Sequence, residues 1–173
     1  ARLNTDGTLD ATFNSGVGAN NVINAVLVQN DGRVVVGGAF TTINGTNRNF
    51  IARLNEDGSL DDTFNPGPGA DAPVRALAMD ASGLILAGGD FTAIGDVVVG
   101  RIARLKADGS VDKTFDPGLG ANGPVRAVVV QNNGLIVIGG EFTAVDGTNS
   151  FNRVARLTAA GALDTNFMGA VTG

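Results

Sequence analysis

Three recurring sets of side chains in this sequence have types and spacings that could do chemistry. The first is acidic. Asn4-x-Asp6-Gly7 and Asn55-x-Asp57-Gly58, followed by Asp10 and Asp61, gather oxygens in the manner of a small calcium loop, because a hard cation wants clustered carboxylate and amide oxygens. At the third and fourth places Lys106 and Thr158 replace the leading Asn, and Ala160 replaces the Asp of the fourth. Asp-Gly turns also form without a metal, so turn chemistry is the simpler reading and calcium the weaker one. No other cofactor is expected. The second set is Arg2 with Asp10, Arg53 with Asp61, Arg104 with Asp112 and Arg156 with Asp164, always eight residues apart. The third is Gly-x-Gly-Ala at 16–19, 67–70 and 118–121. A dinucleotide site would need a further Gly and a helix after it. Asn21 and Ala72 stand where that Gly belongs in two copies, and Pro124 and a strand pattern follow the third. These loops read as connections that need unusual φ.

The residues that are missing narrow the chemistry further. The 173-residue chain has no Cys and no His. Disulfides, thiolate zinc sites, cysteine nucleophiles, imidazole bases and serine triads are therefore excluded. It has no Trp or Tyr, which leaves only Phe for stacking on sugars or bases. The net charge of −5 disfavours nucleic-acid backbones and anionic membranes. The apolar runs are too short to span a bilayer, so no membrane insertion is expected. Catalysis within this stretch is not expected.

The elements that must position these sets come from a repeat. The string A-R-L-x-x-x-G-x-[L/V]-D-x-x-F begins at Ala1, Ala52, Ala103 and Ala155, at spacings of 51, 51 and 52 residues. Gly-x-Gly-Ala and Gly-Gly-x-Phe-Thr run in phase with it. Such phasing marks a repeat architecture. The 15 Asp among 17 acids, the 26 Gly and the many Thr suit turns and strands rather than helices.

Each period reads as four short strands. Strand a covers 24–29, 75–80 and 126–131, and strand b covers 33–40, 84–91 and 135–142. Strand c covers 1–4, 50–55, 101–106 and 153–158, and strand d covers 8–13, 59–64, 110–115 and 162–167. Three-residue loops ending in Gly join a to b and c to d, a pattern that suits a type I turn closed by a left-handed residue. Counting back from the c–d loop sets Leu54 opposite Leu60 and Arg53 opposite Asp61. The same count puts an apolar pair and an Arg–Asp pair on opposite faces in every copy. Strands a and b carry near-continuous apolar runs, which predicts strands covered on both faces. Phe13, Phe40, Phe64, Phe91, Phe115, Phe142 and Phe167 recur in phase and are expected to form core between neighbouring sheets. Segments 42–49, 93–100 and 144–152 vary between copies and are read as loops suited to recognition; Asn44-Gly45-Thr46 within them is a formal glycosylation sequon.

The expected fold is all-β: tandem four-stranded antiparallel blades of a β-propeller-like array. A half blade with its linker covers 1–21, and blades follow at 22–72, 73–123 and 124–173. Three and a half blades are too few to close a ring, which predicts part of a larger propeller or assembly.

The apolar run ending in Gly-Gly (34–38, 84–89 and 136–140) resembles the double-glycine signature of Kelch blades, without the Tyr and Trp of that pattern. Nearly the whole period, as in IARLNEDGSLDDTFNPGPGADAPVRALAMDASGLILAGGDFT, resembles the bacterial delta-60 repeat family. The resemblance implies a propeller-like repeat of large bacterial proteins, extracellular or surface-attached, and it carries over no catalytic residues. The expected role is a non-catalytic scaffold for adhesion or surface assembly. A self-assembling fibre or sheath subunit is the alternative, and a ligand-binding or enzymatic propeller with its site outside this stretch is a third. Expected partners are further blades of a longer chain or other copies of itself, and a protein or glycan on a surface.

Overall fold

The computed structural model describes residues 1–148 and 153–167. Positions 149–152 of the third variable segment lie outside the described residues. The first full repeat lays down β1 (Ile23–Val28), β2 (Val34–Gly38), β3 (Thr42–Ile43), β4 (Thr46–Asn47) and β5 (Ile51–Leu54). The second lays down β6 (Val74–Met79), β7 (Ile85–Gly89), β8 (Ala93–Ile94), β9 (Val97–Val98) and β10 (Ile102–Leu105). The third adds β11 (Val125–Val130), β12 (Ile136–Gly140) and β13 (Val154–Leu157). The described residues contain no helix.

In each repeat strands a, b and c form one antiparallel three-stranded sheet with b in the middle, ordered β1-β2-β5, β6-β7-β10 and β11-β12-β13. Turn chemistry sets the a–b register. Gln29 and Arg33 close a hairpin over Asn30-Asp31-Gly32, where Gly32 takes φ 81°. A side chain at that φ would strain the turn, so Gly is required. A bulge recurs at Asn24, Arg75 and Arg126, one residue into each a strand, and re-aims those side chains.

Three sequence expectations change. Strand d is reduced to single bridges, Leu3–Leu9, Leu54–Leu60, Leu105–Val111 and Leu157–Leu163, so each blade has three strands and a bridged fourth segment. The cause lies one residue further on. The Asp61 carboxylate takes the Thr63 amide at 2.9 Å, and the Phe64 N–H donates to the Asp61 carbonyl at 3.4 Å. That turn lifts the chain off the sheet before a ladder can extend. Strand a is the sheet's edge and is only partly covered, whereas β2 and β7 are buried along their length. The variable loops are partly ordered: β3–β4 and β8–β9 are two-residue hairpins. The first turns on Asn44-Gly45, with both φ values positive, the mirror-image turn that Asn-Gly favours.

The core sits between sheets. One cluster joins Val35, Ile51 and Phe64 of the first blade to Val74, Ile85 and Phe91 of the second. Another joins Leu86 and Ile102 of the second to Val125, Ile138 and Phe142 of the third. The first Gly of the first two Gly-Gly pairs makes this stacking close. A β-carbon on Gly37 would sit 2.5 Å from Val74 Cγ1, and one on Gly88 would sit 2.6 Å from Val125 Cγ1. No side chain fits there.

Candidate functional site

The conspicuous polar site is the Arg–Asp unit, and it is built four times. Its local scaffold is the c–d turn. Asp57 Oδ1 accepts from the Ser59 amide at 2.9 Å and from its hydroxyl at 2.6 Å, while Gly58 takes φ 88°. That turn brings strand c and the following segment into the register that pairs Leu54 with Leu60. Arg53 and Asp61 are then neighbours on the other face.

In the second copy Arg53 Nε donates to Asp61 Oδ2 at 2.7 Å and Arg53 Nη2 to Thr63 Oγ1 at 3.2 Å. Its guanidinium lies 4.9 Å from the centre of the Phe64 ring. Arg53 Nη1 reaches into the next repeat and donates to the Ala107 carbonyl at 2.6 Å. The other copies repeat the unit. Arg2 pairs with Asp10 at 2.7 Å, Arg104 with Asp112 at 2.8 Å and Arg156 with Asp164 at 2.8 Å. Phe13, Phe115 and Phe167 lie under the respective guanidinium groups. The forward bond recurs from Arg2 to Glu56 O and from Arg104 to Ala159 O. In the fourth copy Asn166 replaces Thr, and its amide still donates to Asp164. A second forward tie runs beside the first: the amides of Asn14, Asn65 and Asp116 donate to the carbonyls of Asp57, Asp108 and Ala160.

Burial follows position in the array. Arg53 and Asp61 are each 3% exposed, while the Arg2 side chain keeps 36%. Phe40, Phe64, Phe91 and Phe142 are fully enclosed and Phe115 nearly so, whereas Phe13 and Phe167 at the two ends are half-buried.

Asp10, Asp61 and Asp112 are held ionised. The Thr12 hydroxyl, then its amide, then Arg2 bring Asp10 down to about 2. Burial pushes Asp61 and Asp112 up, but the hydroxyl and amide of Thr63 and Thr114, with Arg53 and Arg104, together outweigh it and leave both lowered. Asp6 and Asp57 are lowered by their bonds to Thr8 and Ser59.

The calcium candidates are placed as turn formers. Asp6 and Asp57 accept from their own turn residues, Asn4 and Asn55 donate to Thr8 and Ser59, and Asp10 and Asp61 face Arg. Among the described residues no three acidic side chains converge. The Gly-x-Gly-Ala loops tie the small hairpins to the blades: Ala19, Ala70 and Ala121 bridge to Ile43, Ile94 and Val145. Their glycines take positive φ, such as 59° at Gly16 and 74° at Gly18.

Sequence reasoning also missed an ion-pair chain along the bulged positions. Arg75 holds Asp90 at 2.6 Å, Arg126 reaches back to Asp90 at 3.2 Å, and Arg126 holds Glu141 at 2.8 Å. The signal was available in the phase of Arg75 and Arg126, fifteen residues before Asp90 and Glu141. Nothing in the spacing announced that the pair would cross between blades.

A family model described as a domain of unknown function (DUF5122) β-propeller matches residues 1–13, 29–64, 81–115 and 131–167, well over half of the chain. The chain belongs to this family. Each matched segment of the DUF5122 propeller ends on the Phe of an arginine unit. Among solved structures, the WD40 β-propeller domain of Doa1 is similar, with a TM-score of 0.50 at 17% identity. The match covers 84% of this chain and 40% of that one, so the DUF5122 chain spans well under half of the length it matches. Both findings agree with the all-β blades in giving a propeller fold. No curated protein matches the chain.

Proposed function

We propose that this propeller segment is a non-catalytic scaffold that binds proteins, working outside the cell or on a bacterial surface in adhesion or surface assembly. One observation carries the reading. The recurrent polar unit is spent on holding blades together: in each of the first three copies the Arg side chain satisfies an Asp, a Thr, a Phe face and a carbonyl of the next blade. A group so engaged has no proton to move and no open coordination position. What the array offers to a partner is the tips of its small hairpins and the exposed apolar side chains beside them, Val17, Val98 and Leu119. The location rests on the likeness of the phased motifs to delta-60 repeats.

Protease shaving and antibody labelling of intact cells of the producing organism test this. The expected result is labelling without permeabilisation, with the chain recovered in complex with other surface proteins after cross-linking. Labelling only after permeabilisation would overturn the surface reading. A substrate turned over by the purified chain would overturn the scaffold reading.

A further inference from the structure

The small hairpin of the second blade lacks the cover that its counterpart in the first blade has. At the edge of β4, Arg48 Nη1 donates to the Asn47 carbonyl at 2.9 Å and Arg48 Nη2 to Asp62 at 2.8 Å. One side chain thus caps the outward carbonyl of the hairpin and ties the hairpin to the segment that carries Asp62. In the second blade Val99 stands in the place of Arg48 and Lys113 in the place of Asp62. Valine can make neither bond, and the charge opposite it is reversed. The run becomes Val97-Val98-Val99, against Thr46-Asn47-Arg48 in the first copy and Thr148-Asn149-Ser150 in the third. A charged side chain is the usual guard of an open strand edge, and the second copy puts β-branched apolar residues there instead.

A cleft lies beside this edge. The Val99 N–H donates to the Thr92 carbonyl at 2.8 Å, so by the alternation of an antiparallel ladder the amide and carbonyl of Val98 point away from β8. Among the described residues no strand pairs with that side of β9. The Val98 side chain is 86% exposed. Val97, Val98, Val99, Val111 and Phe115 line a cleft of about 170 Å³, and the exposed Lys113 stands in its wall. Asp116, in the same wall, turns Oδ1 to the Gly118 amide at 2.9 Å. The second blade is an interior one, packed against its neighbours on both sides, so the opening belongs to this repeat's own residues.

We propose that this edge and cleft bind an extended peptide of a partner protein that presents a carboxylate beside an apolar side chain. The peptide adds to β9 at Val98 and takes the amide and carbonyl that the edge leaves open. Its apolar side chain enters the cleft over Val99 and Phe115, and its Asp or Glu meets Lys113. The occupant follows from what the first blade puts in the same place. There the chain itself supplies the donor to the carbonyl, the apolar stem and the ion pair, all from Arg48. In the second blade the cation is on the wall, so the ligand brings the acid. The net charge of −5 repels an acidic partner at long range, so recognition rests on contact with Lys113 and not on steering.

This inference rests on the scaffold reading and names what one edge of it binds; its test is separate, since a failed titration leaves the surface labelling untouched. The peptide acetyl-Thr-Val-Glu-Glu-Val-Thr-amide shows a Val and a Glu on each face when extended. It is titrated into the isotope-labelled 173-residue chain and followed by nuclear magnetic resonance. Saturable shifts at Val98 and Lys113 and slowed amide exchange at Val98 are expected. The same peptide with Gln-Gln for Glu-Glu is expected to bind about threefold more weakly or worse. Lys113→Glu is expected to weaken the Glu peptide about tenfold and to favour a Lys-Lys version. Lys113 is exposed, and Ala11, Asp62 and Thr165 hold its place in the other copies, so this variant keeps the fold. A chain with both Val99→Arg and Lys113→Asp copies the first blade's pair, and it is expected to keep its circular dichroism spectrum and lose the binding. Absence of binding, equal binding of the Glu and Gln peptides, binding unchanged by Lys113→Glu, or undiminished binding by the double variant would each overturn the proposal. Butyrate that reproduced the shifts at the peptide's own concentration would make a free carboxylate the occupant and overturn it. Self-association in sedimentation that the double variant abolishes would make a second copy the occupant and overturn it as well.

Discussion

Arg53→Ala is the most informative single perturbation of this array. It removes a 2.7 Å ion pair to Asp61, a 2.6 Å bond to the Ala107 carbonyl, a 3.2 Å bond to Thr63 and the cover over Phe64. Asp61 keeps its Thr63 amide and hydroxyl, and Arg33, 3.7 Å away on a more exposed side chain, takes up part of the charge. Breaking one side of a buried pair costs about 3–5 kcal/mol. The Ala107 carbonyl lies in an exposed turn and can turn to water, so losing that bond adds at most about 1 kcal/mol, and losses in one network do not add in full. The partial rescue by Arg33 sets the expectation at about 3–4 kcal/mol. For a chain of this length that lowers Tm by on the order of 10 °C. Urea denaturation followed by far-ultraviolet circular dichroism measures it. The double variant Arg53→Met with Asp61→Leu is expected to recover most of the loss, since an apolar pair of similar volume leaves no charge buried without its partner. Arg2→Ala, at the exposed copy, is expected to lose far less. A loss below about 1 kcal/mol for Arg53→Ala would place the pair among surface ion pairs and refute the reasoning. Equal losses for Arg53→Ala and Arg2→Ala would refute the dependence on burial.

Other expectations follow from the same geometry. Gly88→Ala puts a β-carbon 2.6 Å from Val125 and should cost about 1–3 kcal/mol, whereas Gly139→Ala meets nothing closer than 3.7 Å and should leave the melting curve where it is. Because Asp10, Asp61 and Asp112 titrate below their ordinary value when folded, their contribution is complete above about pH 4 and is lost as pH falls toward 2. Thermal melts from pH 6 to 2 should therefore stay level and then drop; a decline beginning near neutrality would contradict this. Adding calcium in place of a chelator should leave Tm unchanged, since Asp6 and Asp57 are engaged by their own turns, and a stabilisation would restore the loops as metal sites.

Much of this was legible in the sequence because turns set register and register sets neighbours. The three-residue loops ending in Gly placed Leu54 opposite Leu60, and from that the Arg53–Asp61 contact followed before any coordinates. Strand d misled because Asp61 does two jobs. Its spacing reads as a strand residue, while its second carboxylate oxygen caps Thr63 and turns the chain away. Strand a misled because an apolar run does not say whether a neighbouring sheet stands on one side or on both. The hairpin at 42–47 had its signal in Asn44-Gly45, overlooked because the segment differs between copies. The bond from each of the first three unit arginines to the next repeat lay beyond reach, since its acceptor is a backbone carbonyl and a carbonyl has no residue type.

That forward bond also imposes an order in time. Arg2 must wait for Glu56, Arg53 for Ala107 and Arg104 for Ala159. On a ribosome the chain emerges from its N-terminus, so each guanidinium is made some fifty residues before its last acceptor exists. At any moment of synthesis the newest blade is the least finished and the one behind it has just been locked. Growth of this kind proceeds as a moving front, with repeats closing one after another on nearest-neighbour contacts. The direction of translation and the direction of the bond coincide, so each blade receives its last polar partner from the blade made next.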